Sequence, residues 1–509
     1  MKIILIMHLK TYGIVKHLFL LSLLVLSTGL AANNVQVTNV SLTGQNTDDN
    51  YTLVAFDISW ENSWRLSSGP ANYDGAWIFV KYRINGGIWQ HGHLNYVDGT
   101  PAADGHTVAP GSTFRTTADG VGGFVYRDTD GSGDVNFAGM QLRWNYGFDG
   151  VSDGAIVDVQ VYAIEMVYIP QGSYQLGSTT SGGEVDNFYT NTGVFGFQAT
   201  YNVTSEAAIP VSSAVGDLYY AVTSGENQGD QMGPIPAAFP KGYMAFWMMK
   251  YEVTEDQWVC FFNSLTETQK LNHDITDIDH KNTDLVAVRN TIAYTAGNAT
   301  TSAPSRACAY LSYEDNAAYY DWTGLRFATE LEFEKAAKGP VHTLNMLASG
   351  GVIASNQLFT IVNDGQETAL ITNPGLNITN MNYSVVDPGG PVRVGIFAAS
   401  AINPSRVETG GSYYGVMELS ANLYERLIGV GTPTNRAYQG THGDGELLSS
   451  GYHNVSSWPT TGSQGAISYR GGSYANSVGI CTVADRTSAA VLSSITNSRI
   501  GMRGVRTAN

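Results

Sequence analysis

Cysteine is nearly absent from this chain of 509 residues: there are three, Cys260, Cys308 and Cys481. They cannot all pair with one another, and no spacing among them resembles a metal knuckle, so a fold built on disulfides or structural zinc is excluded. Charge is also scarce and one-sided. Charged residues make up 14% of the chain, and 27 Lys and Arg against 44 Asp and Glu leave a formal net charge of −17. With no basic run to offset that balance, nucleic acid and anionic membrane surfaces are excluded as partners. Beyond Leu30 no segment is apolar enough to insert into a membrane. What is abundant is Gly, at 57 residues, with 29 Tyr and 9 Trp, the composition of a loop-rich and strand-rich globular protein. The length implies two or more domains.

The first residues carry Lys2, Lys10 and Lys16, an apolar stretch from Leu18 to Leu26, and the small-residue ending Gly29-Leu30-Ala31. This is the pattern of a signal peptide over residues 1–32, since the apolar core is short for a span. No cysteine stands at the expected cleavage point for lipid attachment. The mature protein is therefore expected to be secreted, periplasmic or on the cell surface.

Residues 33–164 read as a β-sandwich. "VQVTNVSL", "YTLVAFDISW", "AWIFVKYRI", "MQLRWNY" and "AIVDVQVYAI" alternate with period two and are parted by Gly, Asn and Asp turns, with no helical stretch between them. In "RDTDGSGDVN", Asp128, Asp130, Ser132, Asp134 and Asn136 alternate around Gly131 and Gly133. Alternating oxygen donors about a glycine turn suit calcium, although Gly139 stands where a bidentate acid is needed. A polar hairpin turn explains the loop equally well.

After Glu165 the character changes. Thr254 with Gln257, Ser312, and Thr329 with Glu332 each begin a helix, and the second and third helices stop at Gly324 and Gly339-Pro340. Cys260 then falls on the first helix beside Phe261 and Phe262, and Cys308 in "RACAYLSY", a buried strand. Both read as small core hydrophobes. From Val341 onward the chain is rich in Gly, Asn, Ser and Thr, and such a tract needs packed aromatics or bound cations to order it.

Several stretches, in order, carry a resemblance: "MVYIPQGSYQLGS" from Met166, "KYEVTEDQW" from Lys250, "LSYEDNAAYYDWTGLRFATELEFEKAAKG" from Leu311, "YYGVMELSANLYER" from Tyr413, "RGGSY" from Arg470 and "GMRGVR" from Gly501. Together they resemble the formylglycine-generating enzymes, the sulfatase-modifying factor family, over residues 165–509. The resemblance implies an α+β chain, a C-type-lectin-like domain with few regular elements held by calcium and aromatic packing. It implies structural calcium on Asn422, the Leu423 carbonyl and Glu425, with a looser second set at Asn382 and Asp387. The family's copper(I) site, which converts a substrate cysteine to formylglycine, uses two cysteines two and seven residues beyond the Tyr of "GGSY". Here these positions are Asn476 and Cys481, and Arg426 replaces the second Trp of the family's Gly-Asn-x-Trp-Glu-Trp block.

Copper(I) is soft and favours thiolates, which Asn476 cannot supply. Cys481, with Ser473 as the family's pocket serine, is the catalytic candidate, but Cys481 reads more simply as a half-buried strand residue. His91 and His93, alternating in "WQHGHLNY", read as a solvated pair rather than metal ligands. The expected function is a non-catalytic scaffold binding a glycan or a protein, with the "GTHGDGELLSSGYHNVSSWP" loop (Gly440–Pro459) and segment 475–481 as its exposed candidates. The alternative is a divergent oxidase acting on exported sulfatases with copper.

Overall fold

The alternating runs form strands because period two collects the apolar side chains of each on one face, which a core covers, and the polar ones on the other. The computed structural model describes residues 34–178, 187–194, 198–220, 229–340, 342–343, 346–351, 359–372, 389–402, 404–459, 468–490 and 496–508. The expected signal peptide and the Asn382/Asp387 set lie outside the described residues.

In chain order come β1 (Gln36–Asn46), β2 (Tyr51–Arg65), β3 (Asp74–Ile84), β4 (Gln90–Gly92), β5 (Ser112–Thr116), β6 (Gly123–Arg127), β7 (Gly131–Trp144) and β8 (Val157–Ile169). Strands β1, β2 and β7 make one antiparallel sheet in the order β1-β2-β7. The others belong to a second, eight-stranded sheet completed by β9 (Phe246–Met249), β10 (Arg326–Phe327) and a late strand, Gly504–Thr507. One helical turn at Pro101–Asp104 does interrupt the strands, contrary to expectation; Pro101 opens it and left-handed Gly105 closes it.

Period two decides where each side chain goes. On β3, Ala76, Ile78 and Val80 face the three-stranded sheet and share a core with Val54, Phe56 and Ile58 of β2. The intervening Trp77 and Phe79 point the other way, into a second core built with Trp258, Phe261 and Trp322. A strand buried on both faces needs a continuous apolar run, which "AWIFVKYRI" nearly is.

The expected boundary after Ile164 falls within β8. This strand pairs with β3 from Val157 to Val167 and with β9 from Met166 to Ile169, so one sheet runs through both regions. The regions are also tied by side chains. Trp77 Nε1 donates to the Thr323 carbonyl at 2.8 Å, and the Lys250 ammonium bridges Glu165 at 3.0 Å and Asp74 at 3.3 Å.

The three capped helices form as read. α1 (Glu255–Ser264) and α3 (Glu330–Lys338) start with complete capping boxes at Thr254 and Thr329, as does α2 (Tyr313–Thr323) at Ser312. Gly324 ends α2 in the left-handed region. No helix among the described residues is long and apolar enough to cross a membrane.

Candidate functional site

β11 (Tyr424–Leu427) and β12 (Ser468–Arg470) are paired antiparallel, and β11 also runs parallel to β13 (Ile500–Gly501). Beyond Arg470 the chain turns through left-handed Gly471 (φ 84°) and Gly472 (φ 71°). A Cβ on Gly472 would meet Cys481 Sγ at 2.6 Å, so only glycine lets the thiol pack here. Cys481 is 2% exposed and sits in a turn rather than the expected strand, because its N–H donates to Val478 within its own loop. Burial, with Asp485 adding to it, pushes its thiol up to about 12. The nucleophile is the thiolate, so at neutral pH this sulfur is an inert thiol.

Ser473 and Asn476 are bonded to each other. The Ser473 hydroxyl donates to Asn476 Oδ1 at 2.6 Å and the Ser473 N–H donates to the same oxygen at 3.0 Å. The preceding turn locks onto this one: Ser420 Oγ donates to the Cys481 carbonyl at 2.8 Å, Ala421 N to Gly471 O at 2.7 Å, and Tyr474 N to Asn422 O at 2.8 Å. The other thiols lie elsewhere. Cys308 is buried in the core shared by α1 and α2, but in irregular backbone whose N–H donates to Val253. Cys260 is exposed, correcting its expected core place; Trp258, Phe261 and Phe262 take the inward face of α1.

Asn422, Leu423 and Glu425 are brought together, with partners that sequence reasoning missed. Glu252 accepts from Asn422 Nδ2 and, at 3.0 Å, from Leu423 N. Asn422 Oδ1 accepts from Val392 N at 3.0 Å. Glu425 Oε1 accepts from Arg503 Nε at 2.7 Å, and Arg503 also donates to the Met249 and Met417 carbonyls. Glu425 Oε2 and Glu418 Oε2 are buried with no partner among the described residues. Burial raises all three carboxylates, Glu418 to about 7, and their mutual repulsion adds to it for Glu252 and Glu418. Apolar neighbours around Glu252 in "KYEVTEDQW" were the available signal for a buried acid.

The calcium donors fit in part. Two hard oxygens are free, but Asn422 Oδ1 and Glu425 Oε1 are already engaged, and Arg503 supplies one positive charge. The described residues contain no group of three or more His, Cys, Asp or Glu arranged around a metal position.

The 128–136 loop does not converge. Asp130 Oδ2 accepts from Ser67 N at 2.9 Å and Ser67 Oγ at 2.6 Å, while Asp134 Oδ1 accepts from Asn62 N at 3.0 Å. Asp128 lies in the turn from β6 to β7, and Asp134 is already within β7, paired with β2. The geometry is that of a polar turn carrying the chain between sheets. His91 is buried rather than solvated, its Nε2 on the Val121 carbonyl at 2.7 Å, and His93 Nδ1 contacts Asp149 at 2.7 Å.

Arg426 is fully buried. Its Nη2 donates to the Leu311 carbonyl at 3.0 Å and its guanidinium lies 5.5 Å from the Tyr469 ring. Nearby, Arg470 pairs with Glu330 at 2.8 Å and Glu334 at 2.6 Å, Arg486 with Glu330 at 2.8 Å, and Lys338 with Glu334 at 2.7 Å.

The Gly440–Pro459 loop is held differently. Asp321 of α2 accepts from Asp444 N at 3.0 Å and Asn454 N at 2.8 Å, and its carbonyl accepts from Gly445 N at 2.9 Å. Buried Lys81 of β3 donates to the Gly445 carbonyl, and His91 N donates to Glu446. A cavity of about 560 Å³ opens between this loop, the segment after α1, and Trp89.

With this geometry in hand, a family model for the sulfatase-modifying factor enzyme 1-like domain matches residues 157–508, beginning with β8 itself. The chain belongs to this family. No curated protein matches it. Within the sulfatase-modifying factor frame, the residues present do not fit copper(I). The first thiolate position holds Asn476, whose oxygen is engaged by Ser473. Cys308 packs in a different apolar cluster from Cys481, and Cys260 is exposed. A two-thiolate site therefore has no second sulfur to use.

Proposed function

We propose that this sulfatase-modifying factor family member is an exported binding scaffold without oxidase activity, in which a C-type-lectin-like domain and an all-β sandwich over 33–164 present a ligand site. The observation that carries the reading is Asn476: its oxygen closes a turn with Ser473, and Cys481 is left as a buried, protonated thiol beside it. Export rests on the N-terminal sequence pattern alone. Structural calcium at Glu418 and Glu425 belongs to this reading, supported by their two unpartnered oxygens. Binding of the ion also requires Asn422 to give up its contact with Val392.

The test loads the protein with copper(I) and incubates it in air with a peptide carrying the sulfatase motif C-x-P-x-R. Mass spectrometry follows the peptide, with Cys481→Ser in parallel. An unchanged peptide with folded protein is the expected result. An aldehyde formed by the wild type and lost in Cys481→Ser overturns the scaffold reading in favour of a divergent oxidase. For calcium, a melting point raised by about 2 °C or more on adding the ion to chelated protein, and unchanged in Glu418→Gln, is expected. No shift removes the ion from the reading.

A further inference from the structure

We propose that the cleft between the 445–449 loop, the 264–269 segment and Trp89 binds a neutral saccharide; this rests on the scaffold reading and names its ligand class. The cavity, at about 560 Å³, is of the size that takes a small ligand. Its lining combines the Trp89 indole, which carries the Arg83 guanidinium at 4.7 Å on its ring, and buried Trp322, with Lys81 5.0 Å from its ring. To these it adds the hydroxyls of Thr268 and Ser449 and the carboxylate of Glu446; the Thr266 hydroxyl is held by Gln269. A sugar ring offers apolar C–H faces to lie on aromatic rings and hydroxyls at its edge to exchange hydrogen bonds. Each part of the lining therefore has a counterpart on the ligand.

Other ligand classes fit less well. The lining offers one carboxylate, Glu446, and one buried amine, Lys81, too few charged groups to hold an anion or a chelated cation. Lys81 is moreover committed to the Gly445 carbonyl, and burial pushes it down to about 7, so it is a weak anchor for phosphate or carboxylate. A purely apolar ligand would cover Glu446, whose Oε1 accepts from His91 N–H, and strip its carboxylate of water.

The walls are fixed before any ligand arrives. Asp321 holds the loop through Asp444 and Asn454. Gln269 Nε2 donates to Leu448 O at 3.1 Å, while its Oε1 accepts from Thr266 N at 2.9 Å. Trp322 is held edge-on by Phe79 and Tyr162, with ring centroids 5.3 and 4.9 Å away. A preorganised site loses less conformational freedom on binding. The cleft also gives the N-terminal region a purpose, since Trp89 and Lys81 come from it while the loop comes from the family domain. The shared sheet keeps the two sides in register.

The test uses the full chain and four defined probes: cellohexaose, hexa-N-acetylchitohexaose, maltohexaose and laminarihexaose. Titration calorimetry and tryptophan fluorescence should show at least one binding with Kd near or below about 1 mM. Trp89→Ala should weaken that binding by about tenfold or more, with the melting curve unchanged. The exposed Thr268→Val provides a second variant, with a smaller loss, should Trp89→Ala fold poorly. Absence of binding by all four probes overturns the proposal, as does binding that neither substitution weakens. The copper and peptide assay on the same preparation separates the two readings: aldehyde formation with saccharide binding sinks the scaffold claim and leaves the cleft standing. No aldehyde and no saccharide binding does the reverse.

Discussion

The turn at 418–423, which leads into β11, and the loop at 443–454 are both irregular backbone organised by buried carboxylates, yet they end in opposite chemical states. In and beside the turn, side chains satisfy one another: Asn422 with Glu252, Glu425 with Arg503, and, on the strand paired with β11, Arg470 with Glu330 and Glu334 of α3. The polar capacity left over, one oxygen each on Glu418 and Glu425, is buried rather than turned to a cavity, and the cysteine beside it is sealed. In the loop, Asp321 bonds to backbone N–H groups, which leaves neighbouring side chains such as Thr268 and Glu446 lining a cavity. Which groups a buried acid binds thus decides whether an irregular segment becomes core or recognition surface.

The contrast is broken most severely at Glu330. Glu330→Gln removes the shared partner of Arg470 and Arg486 and leaves buried charge uncompensated, with an expected loss of about 3–5 kcal/mol by urea unfolding. Asp321→Asn removes an acceptor of backbone bonds only, and should cost about 1–2 kcal/mol. Equal losses would mean that the two segments are held alike, and the comparison would fail.

Much of this was legible before the structure. Capping residues Thr254, Ser312 and Thr329 act within a few positions of themselves, so their helices could be read locally. The strands of the first region could be read from alternation. The partners of the 418–423 turn and of β11 could not, because Glu252 is 170 residues from Asn422 and Arg503 is 78 from Glu425. The boundary after Ile164 was placed where composition changes, but hydrogen bonding follows the strand, and β8 serves both regions. Cys260 was misplaced because neighbours in sequence face different ways on a helix.

Gly472→Ala sharpens the sealed side of the comparison. The new methyl would meet Cys481 Sγ at 2.6 Å from a residue already in the left-handed region. A loss of about 2–3 kcal/mol is expected by urea unfolding. Adding Cys481→Ala should restore part of it by clearing the clash, whereas the backbone strain stays. If the second change restores nothing, the thiol is not what Gly472 accommodates.

The open side should respond to pH. His280 and His273 both bond to Asp315, and His273 also bonds to the Gly451 carbonyl, tying this cluster to the loop. Burial would lower His280, but its bonds to Asp315 and Asp277 outweigh that and raise it to about 9. A histidine raised on folding stabilises fully below about pH 6.5, and that stabilisation is lost as pH rises through about 9. Chemical denaturation should therefore show about 2 kcal/mol of stability lost across this window, and much less in His280→Gln. Glu418, raised to about 7 chiefly by burial, has the opposite charge logic: its penalty grows as pH rises from about 4.5 to 7. The sealed turn and the open loop thus titrate in different windows, and coincident profiles would remove that distinction.

The smallest effect is a count of thiols. A neutral disulfide reagent at pH 8 should modify Cys260 in the folded protein, because only this one of the three cysteines is exposed; the reaction should be slow, since burial and the neighbouring Asp256 push this thiol up to about 12. Cys481 should react only on unfolding, since its thiol is raised like that of Cys260 and burial also denies the reagent any approach to the sulfur. Cys308 is fully buried and should behave the same way. Protection should survive saturation with copper(I), as a lone buried thiol has no partner with which to capture the ion. Mapping the label by peptide mass spectrometry decides the matter without any activity assay. Native labelling of Cys481 would mean that the turn opens in solution, and the sealed side would then be a gate rather than core.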